Sequence, residues 1–149
     1  MNRYEQRFAC HLVSALRVIV GSSPVELNQF LCGDGLTYGA QAMAETVYET
    51  SRHNPSCLSK YKHDTTKYTH GPLAGLTFDE ICDNMGNASN GKTLPGIENL
   101  GTGGYGGEAA LVYTCSGIHM LIIMNPYLNQ FGYGYKDGYN CEEFDKKRD

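Results

Sequence analysis

The sequence opens with two helical stripes of apolar residues, separated by a segment rich in glycine, serine and proline. The first stripe predicts a helix from about Tyr4 to Val20. Gly21 and Pro24 follow it and are expected to terminate this helix. The second predicts a helix over about 36–52, with apolar positions three and four residues apart. Each helix is amphipathic and therefore needs an apolar surface to pack against.

Two shorter helices are predicted in the second half of the chain. Thr77 and Glu80 have the spacing of a capping box, which predicts that a helix begins there. Another short helix is predicted over about 108–115. The apolar run Met120–Met124 follows it, and we expect this run to be compact and buried.

The C-terminal part of the chain shows a strand pattern. Aromatic residues alternate with glycine over 131–136, and Asp137-Gly138 predicts a hairpin turn with a return strand over 139–144. Helices packed on a small antiparallel sheet make an α+β fold. With no internal repeat and no linker, residues 1–149 are predicted to form one domain.

Composition narrows the classes of partner. A net charge of −4 with 41% hydrophobic residues is typical of a globular domain, and it argues against a nucleic-acid partner, which would require a basic face. The one basic cluster, Lys146-Lys147-Arg148, is expected to be a solvated tail. We expect no membrane span, because no apolar run is long enough.

The cysteines bear on the cellular compartment. Six are spread along the chain without a C-x-x-C motif, which argues against a zinc ribbon or a thioredoxin-type site. Their even number fits three disulfide bonds in an oxidising compartment, and free thiols are the alternative. Asn87-Ala88-Ser89 is a glycosylation sequon and adds weak support for secretion. If the protein is secreted, its signal peptide is expected to be absent from this chain.

Gly101, Gly103 and Gly106 have the G-x-G-x-x-G spacing of a dinucleotide-binding turn. A true fingerprint follows a buried strand and has an acidic residue about 20 positions later. Here the preceding segment contains a proline and a glutamate, and Asn125 lies near the position where the acid should be. We therefore expect no nucleotide cofactor.

His70, Glu98 and His119 are the candidate metal-binding or proton-transfer residues. Imidazole and carboxylate ligands suit zinc, and two histidines with one carboxylate leave a position for water. The alternative for each histidine is an ordinary structural or surface side chain. Neither H-E-x-x-H nor G-x-S-x-G occurs. No residue is therefore assigned a firm catalytic role, and Glu98 is the candidate if catalysis occurs.

The order of these motifs resembles the CAP superfamily of cysteine-rich secretory proteins, antigen 5 and pathogenesis-related 1 proteins. The chain has Glu98-Asn99, a helix, a turn that ends at His119, Asn125-Pro126, and a G-x-G-Y strand before a hairpin. The tetrapeptide "KYTH" that ends at His70 resembles the family's short F-S-H segment. The resemblance covers about 4–144, and the single-domain bacterial or protist type is the most similar.

The resemblance implies an α-β-α sandwich (SCP domain), usually secreted and disulfide-bonded. It also implies a central cavity in which His70, Glu98 and His119 converge, and which in some members binds zinc or another divalent cation. The family's second glutamate has no counterpart, since Ser116 lies at its position. If a metal binds, its affinity should fall below about pH 6, where imidazoles become protonated.

For function, the resemblance implies a secreted binding module for a lipid or sterol, or for a host or cell-surface protein, without firm catalytic activity. The alternative is a metal-dependent hydrolase of peptidase or esterase type. In it Glu98 would be the general base and the two histidines would bind zinc. A purely structural secreted domain is the third reading.

Overall fold

Helix α1 spans Arg3–Ile19 in the computed structural model of the protein, which describes residues 1–148. The helix begins there because the Asn2 side chain accepts a hydrogen bond from the Glu5 amide. Ala9 and Val13 are fully buried on the inner face of the helix. The predicted first helix is thereby confirmed.

The other helices are shorter than α1. The capping box predicted at Thr77 is present, with both of its hydrogen bonds formed. The helical elements after α1 are α2 (Gln29–Cys32), α3 (Gly39–Ser51), α4 (Cys57–Tyr61), a 3-10 helix (Thr65–Lys67), α5 (Phe78–Ser89), a second 3-10 helix (Gly106–Cys115) and α6 (Gly117–Met124).

Four strands form one sheet in the order β1-β3-β4-β2. Their bounds are Glu26–Leu27 for β1, Ile97–Thr102 for β2, Gln130–Lys136 for β3 and Tyr139–Asp145 for β4. The sheet was expected to be antiparallel but is mixed, because β1 pairs with β3 in parallel while the other pairs are antiparallel. The two-residue β1 follows α1, which brings the chain back to the free edge of β3.

The predicted hairpin between β3 and β4 is confirmed. Asp137 and Gly138 both have positive φ, at 43° and 95°, as a tight primed turn requires. The turn sets the register of the pair, in which Lys136 lies opposite Tyr139 and Gly134 lies opposite Cys141.

Apolar residues cover both faces of the sheet. On one face Leu100 and Cys141 belong to a cluster with Leu31 and Met43 of the α2–α3 layer. The other face contributes to a second cluster, formed with α1 and the second 3-10 helix, whose buried members include Ala9, Val13, Tyr113, Phe131, Tyr133 and Phe144. These two clusters make the α-β-α sandwich, so the predicted α+β class is confirmed.

Two segments differ from the sequence-based prediction. No strand was predicted over residues 97–102, but they form β2 because β4 supplies backbone partners along their whole length. The run Met120–Met124 was expected to be buried, yet only Ile123 of α6 is buried. Ile118 and Leu121 on the same helix are 77% and 67% exposed.

All six cysteines are free thiols in the structure of residues 1–148, so the predicted disulfide bonds find no support there. Within the same residues, no single helix is long and apolar enough to cross a membrane. The pair Gly106–Cys115 and Gly117–Met124 together meets the length and composition expected of a span, but the two helices are bent at 114° to each other.

Candidate functional site

Glu98 and Glu143 lie directly opposite each other on β2 and β4. Cys141 lies two residues before Glu143, and the period of two along a strand places both on the same face of the sheet. One ligand atom from each of these three side chains lies within 4.8 Å of the others. In the part of the chain that the structure describes, this is the one group of three His, Cys, Asp or Glu residues so arranged.

His63 completes the cluster from a separate segment. Its Nδ1 lies 2.5 Å from Glu98 Oε1. The loop that carries His63 is fixed on both sides. Tyr68 donates to the Lys62 carbonyl at 2.6 Å, and the Asp64 side chain accepts from the Thr66 amide at the start of the 3-10 helix. His63 is therefore held at Glu98 although half of its side chain, 52%, is exposed.

The two glutamates share their environment but differ in protonation. Burial raises the pKa of Glu98, but hydrogen bonds from Glu143, His63 and Cys141 outweigh burial and bring it below its usual value. Burial, followed by the charge of Glu98 and the hydrogen bond to it, raises the pKa of Glu143 well above its usual value. Glu143 therefore holds its proton to higher pH than Glu98 does, and a protonated Glu143 can donate to the Glu98 carboxylate.

The other two groups follow from these charges. The hydrogen bond to Glu98 raises the pKa of His63, which favours the imidazolium form. Burial and the nearby Glu98 and Glu143 raise the pKa of Cys141 well above its usual value, so its thiol keeps its proton. The cluster is thus close to neutral overall, and it holds protons that a bound cation could displace.

A cavity of about 340 Å³ opens beside the cluster, between the sheet and α3 and α5. Glu98, Glu143 and His63 line its polar end. The remaining wall is largely apolar and includes Met43, Leu73, Phe78, Ile81 and Met85. The cavity can accept a group with one apolar part and one polar or cationic end.

The resemblance to the CAP superfamily implied that His70 lies in a central cavity, but its side chain is exposed. Its ring is exposed and stacks on the ring of His53, with centroids 4.0 Å apart. Its Nδ1 lies 2.8 Å from the Thr69 hydroxyl. The backbone of His70 is fixed by Thr50, whose hydroxyl donates to the His70 carbonyl and accepts from its amide.

His119 lies on the opposite face of the sheet from Glu98. Asn99, whose side chain alternates with that of Glu98, donates to the His119 carbonyl at 3.3 Å. The His119 Nδ1 lies 2.6 Å from the Ser116 hydroxyl. Among residues 1–148, the group of ligand atoms around Glu98 includes neither His70 nor His119, and the sheet lies between Glu98 and His119.

Three residues of the cluster were missed at the level of sequence. Cys141 and Glu143 alternate in the predicted return strand, which was a signal that they share one face, but nothing local indicates that Glu98 pairs beside them. His63 lies 35 residues from Glu98 in a polar, irregular segment. Its contact depends on where α4 ends, which no local pattern specifies.

Comparisons with known proteins bear on the fold. No protein-family model and no curated protein matches the sequence. Three solved structures resemble the chain. An extracellular protein with an SCP domain from Bacillus anthracis has a TM-score of 0.53 at 17% identity. A cysteine-rich secretory protein from Staphylococcus aureus gives 0.54 at 13%, and an outer surface protein from Borrelia burgdorferi gives 0.53 at 13%.

Coverage differs among the three structures. The alignments cover 96%, 97% and 98% of this chain, and 40%, 39% and 95% of the three matched chains in the same order. The chain therefore spans about two fifths of the first two matched chains. Nearly the whole chain has the fold of SCP-domain proteins, and the resemblance inferred from the sequence is confirmed at the level of the fold.

Proposed function

We propose that the protein is an extracellular binding module of the SCP type, whose acidic cavity holds a divalent cation and receives the apolar part of a small ligand. The observation that carries this proposal is the convergence of Glu98, Cys141 and Glu143, of which the two glutamates line one end of a largely apolar cavity. The extracellular location is supported by the fold neighbours, which are named as extracellular, secretory or outer-surface proteins.

The donor atoms of the cluster fit zinc. A thiolate and two carboxylates are ligands that zinc accepts, and three protein ligands leave a fourth position open. His63 would act on Glu98 rather than on the metal, because its Nδ1 already faces Glu98 Oε1. Hard cations such as calcium and magnesium prefer oxygen donors, so the thiol of Cys141 favours zinc over them.

The apolar wall supports a ligand of lipid character. The volume of about 340 Å³ lies near the lower end of the range of about 300–1,000 Å³ found for ligand pockets. It suits a short stretch of acyl chain or another small apolar group rather than a whole sterol. We propose that Phe78, which lines this cavity and is 61% exposed, contacts the part of the ligand that extends outward.

Zinc titration by calorimetry tests the cation site. We expect one zinc to bind wild-type protein, and Cys141→Ser and Glu143→Gln to weaken binding by about tenfold or more, since each removes a ligand. Cys82→Ser is the matched control because Cys82 lies outside the cluster. Zinc binding that Cys141→Ser and Cys82→Ser leave equally strong would contradict the proposal.

A metal-dependent hydrolase is the second candidate, favoured by His63, whose imidazole pairs with the proposed ligand Glu98. Peptidase and esterase substrates should be assayed with zinc-loaded wild type and with His63→Ala. Turnover that His63→Ala abolishes while zinc stays bound would favour the enzyme. Without turnover, the binding module is the better description.

A further inference from the structure

One end of the molecule exposes large apolar side chains from three segments, and we call this surface the apolar end. Ile19 and Tyr127 are 80% and 83% exposed. On α6, Ile118 and Leu121 are three residues apart and lie on one side of the helix. The members of the apolar end are Val18, Ile19, Val20, Ile118, Leu121 and Tyr127.

Arg17 holds these segments together. Its fully buried guanidinium donates to the carbonyl oxygens of Ser23, Ile123, Asn125 and Leu128 at 2.6–3.0 Å. Val18 and Ile19 follow Arg17 directly, and Tyr127 lies between two of the bonded carbonyls. A further bond joins the Ser22 hydroxyl to the Met124 carbonyl at 2.6 Å. The three segments of the apolar end are therefore fixed to one another.

The segments that form the apolar end carry no acidic residue, and basic residues lie beside them. The segments 17–25 and 117–129 contain no aspartate or glutamate, although the whole chain has a net charge of −4. The basic tail begins beside them, because the Lys147 amide donates to Asn129 Oδ1 at 2.8 Å. Lys146 and Lys147 are exposed and form no ion pair with any residue that the structure describes.

Two acids close to the basic tail, among the residues that the structure describes, have partners. Asp145 pairs with Arg148 at 2.9 Å, and Glu26 accepts from the Gln130 side chain at 3.2 Å. Exposed apolar side chains next to two free ammonium groups match the acyl and phosphate layers of a membrane surface that carries negative charge. A protein partner with a purely apolar surface would leave the two lysines without complementary charge.

We propose that the apolar end docks on the surface of an anionic lipid bilayer, with Ile19, Leu121 and Tyr127 in the acyl boundary and Lys146 and Lys147 at the lipid phosphates. The surface lies flat on the bilayer and does not span it, because Ala109, Ala110 and Ile123 of the bent helical pair are buried against the sheet. This site is separate from the acidic cavity and does not depend on its function.

Vesicle flotation tests the proposal. Vesicles of phosphatidylcholine alone are compared with an equimolar mixture of phosphatidylcholine and phosphatidylglycerol. We expect wild-type protein to float with the anionic vesicles, and binding to weaken with added salt. I19S/L121S should lower the partition coefficient by about tenfold or more, since it removes two inserted side chains. Tyr4→Ser is the control because Tyr4 is 76% exposed at the other end of α1.

The charge contribution is tested in the same way. K146E/K147E should reduce binding to anionic vesicles by about fivefold or more per lysine. K60E/K92E changes the net charge equally and is expected to bind like wild type, because both lysines lie outside the apolar end. Equal binding by all variants, or no binding of wild type to anionic vesicles, would overturn the proposal. So would concentration-dependent self-association that I19S/L121S abolishes, because the surface would then bind a second copy.

Discussion

Asn99 donates a hydrogen bond to Glu142 Oε1 at 2.9 Å, in a fully buried pair that joins β2 to β4. Asn99 Oδ1 and the second carboxyl oxygen of Glu142, Oε2, have no hydrogen-bond partner among the described residues. A protonated Glu142 carries a donor of the kind that Asn99 Oδ1 lacks, and its other oxygen still accepts from the Asn99 amide. Burial favours this neutral form and raises the pKa of Glu142 to about 8.

Glu142→Gln should therefore change how stability depends on pH. The pKa of a glutamate is about 4.3 in the unfolded chain, and that of Glu142 is about 8 in the folded protein. The contribution of Glu142 to stability is therefore fully present below about pH 4.3 and is lost as pH rises through about 8. Glutamine keeps the shape and one donor without titrating. As pH rises from the first of these values to the second, we expect the free energy of unfolding of wild type to decrease. The free energy of unfolding of the variant should decrease less over the same range.

Urea denaturation at a series of pH values between these limits measures this difference. Glu108→Gln is the control, because Glu108 is exposed on the second 3-10 helix. If wild type and Glu142→Gln show the same change in unfolding free energy over this range, Glu142 is ionised in the folded protein.

Arg17→Ala should be among the most destabilising single changes in the chain. It removes four hydrogen bonds, of which those to the carbonyls of Ile123 and Leu128 are buried. Each of these two carbonyl oxygens loses this donor at a cost of about 1–3 kcal/mol. We expect a total loss of about 3–5 kcal/mol in the free energy of unfolding, measured by denaturation. Arg7→Ala, at an exposed position on the same helix, should change it by about 0.5 kcal/mol or less.

Zinc binding should strengthen as pH rises, because zinc must displace the protons of Glu143 and Cys141. Burial and neighbouring charges raise the pKa of both groups well above its usual value, so each holds its proton to higher pH than a solvent-exposed side chain does. Calorimetry in buffers of different ionisation enthalpy should detect proton release on binding. Affinity that is unchanged between mildly acidic and alkaline pH would exclude these two groups as ligands.

Gly134→Ala should disturb the contact between the sheet and α3. A Cβ at Gly134 would lie 2.3 Å from the Gln41 amide nitrogen, and backbone cannot move aside cheaply. We expect a loss of about 2 kcal/mol or more in the free energy of unfolding, from thermal or urea denaturation. Gly117→Ala is the matched control, with nothing within 4 Å of its added Cβ, and should be close to neutral.

Features with local causes were predictable from the sequence. Asp137-Gly138 specifies the hairpin and Thr77 with Glu80 specifies the start of α5, because turn and cap chemistry depend on neighbouring residues. β2 was not predicted, since Ile97–Thr102 includes a glycine and few β-branched residues and becomes a strand only when β4 pairs with it. The candidate site depends on that same pairing, and therefore only Glu98 of its members was found.

The register set by the turn at Asp137-Gly138 assigns the two glutamates of β4 to different surroundings. Glu143 faces the cavity beside Glu98, whereas Glu142 faces the opposite layer beside Asn99. A slip of one residue would exchange every side chain of β4 between the faces. It would bury Phe144 where the cavity now opens and move Cys141 away from Glu98. Asp137 and Gly138 thus keep each glutamate of β4 on its own face of the sheet. An insertion at this turn would disrupt the Glu98–Glu143 cluster and the Asn99–Glu142 pair together.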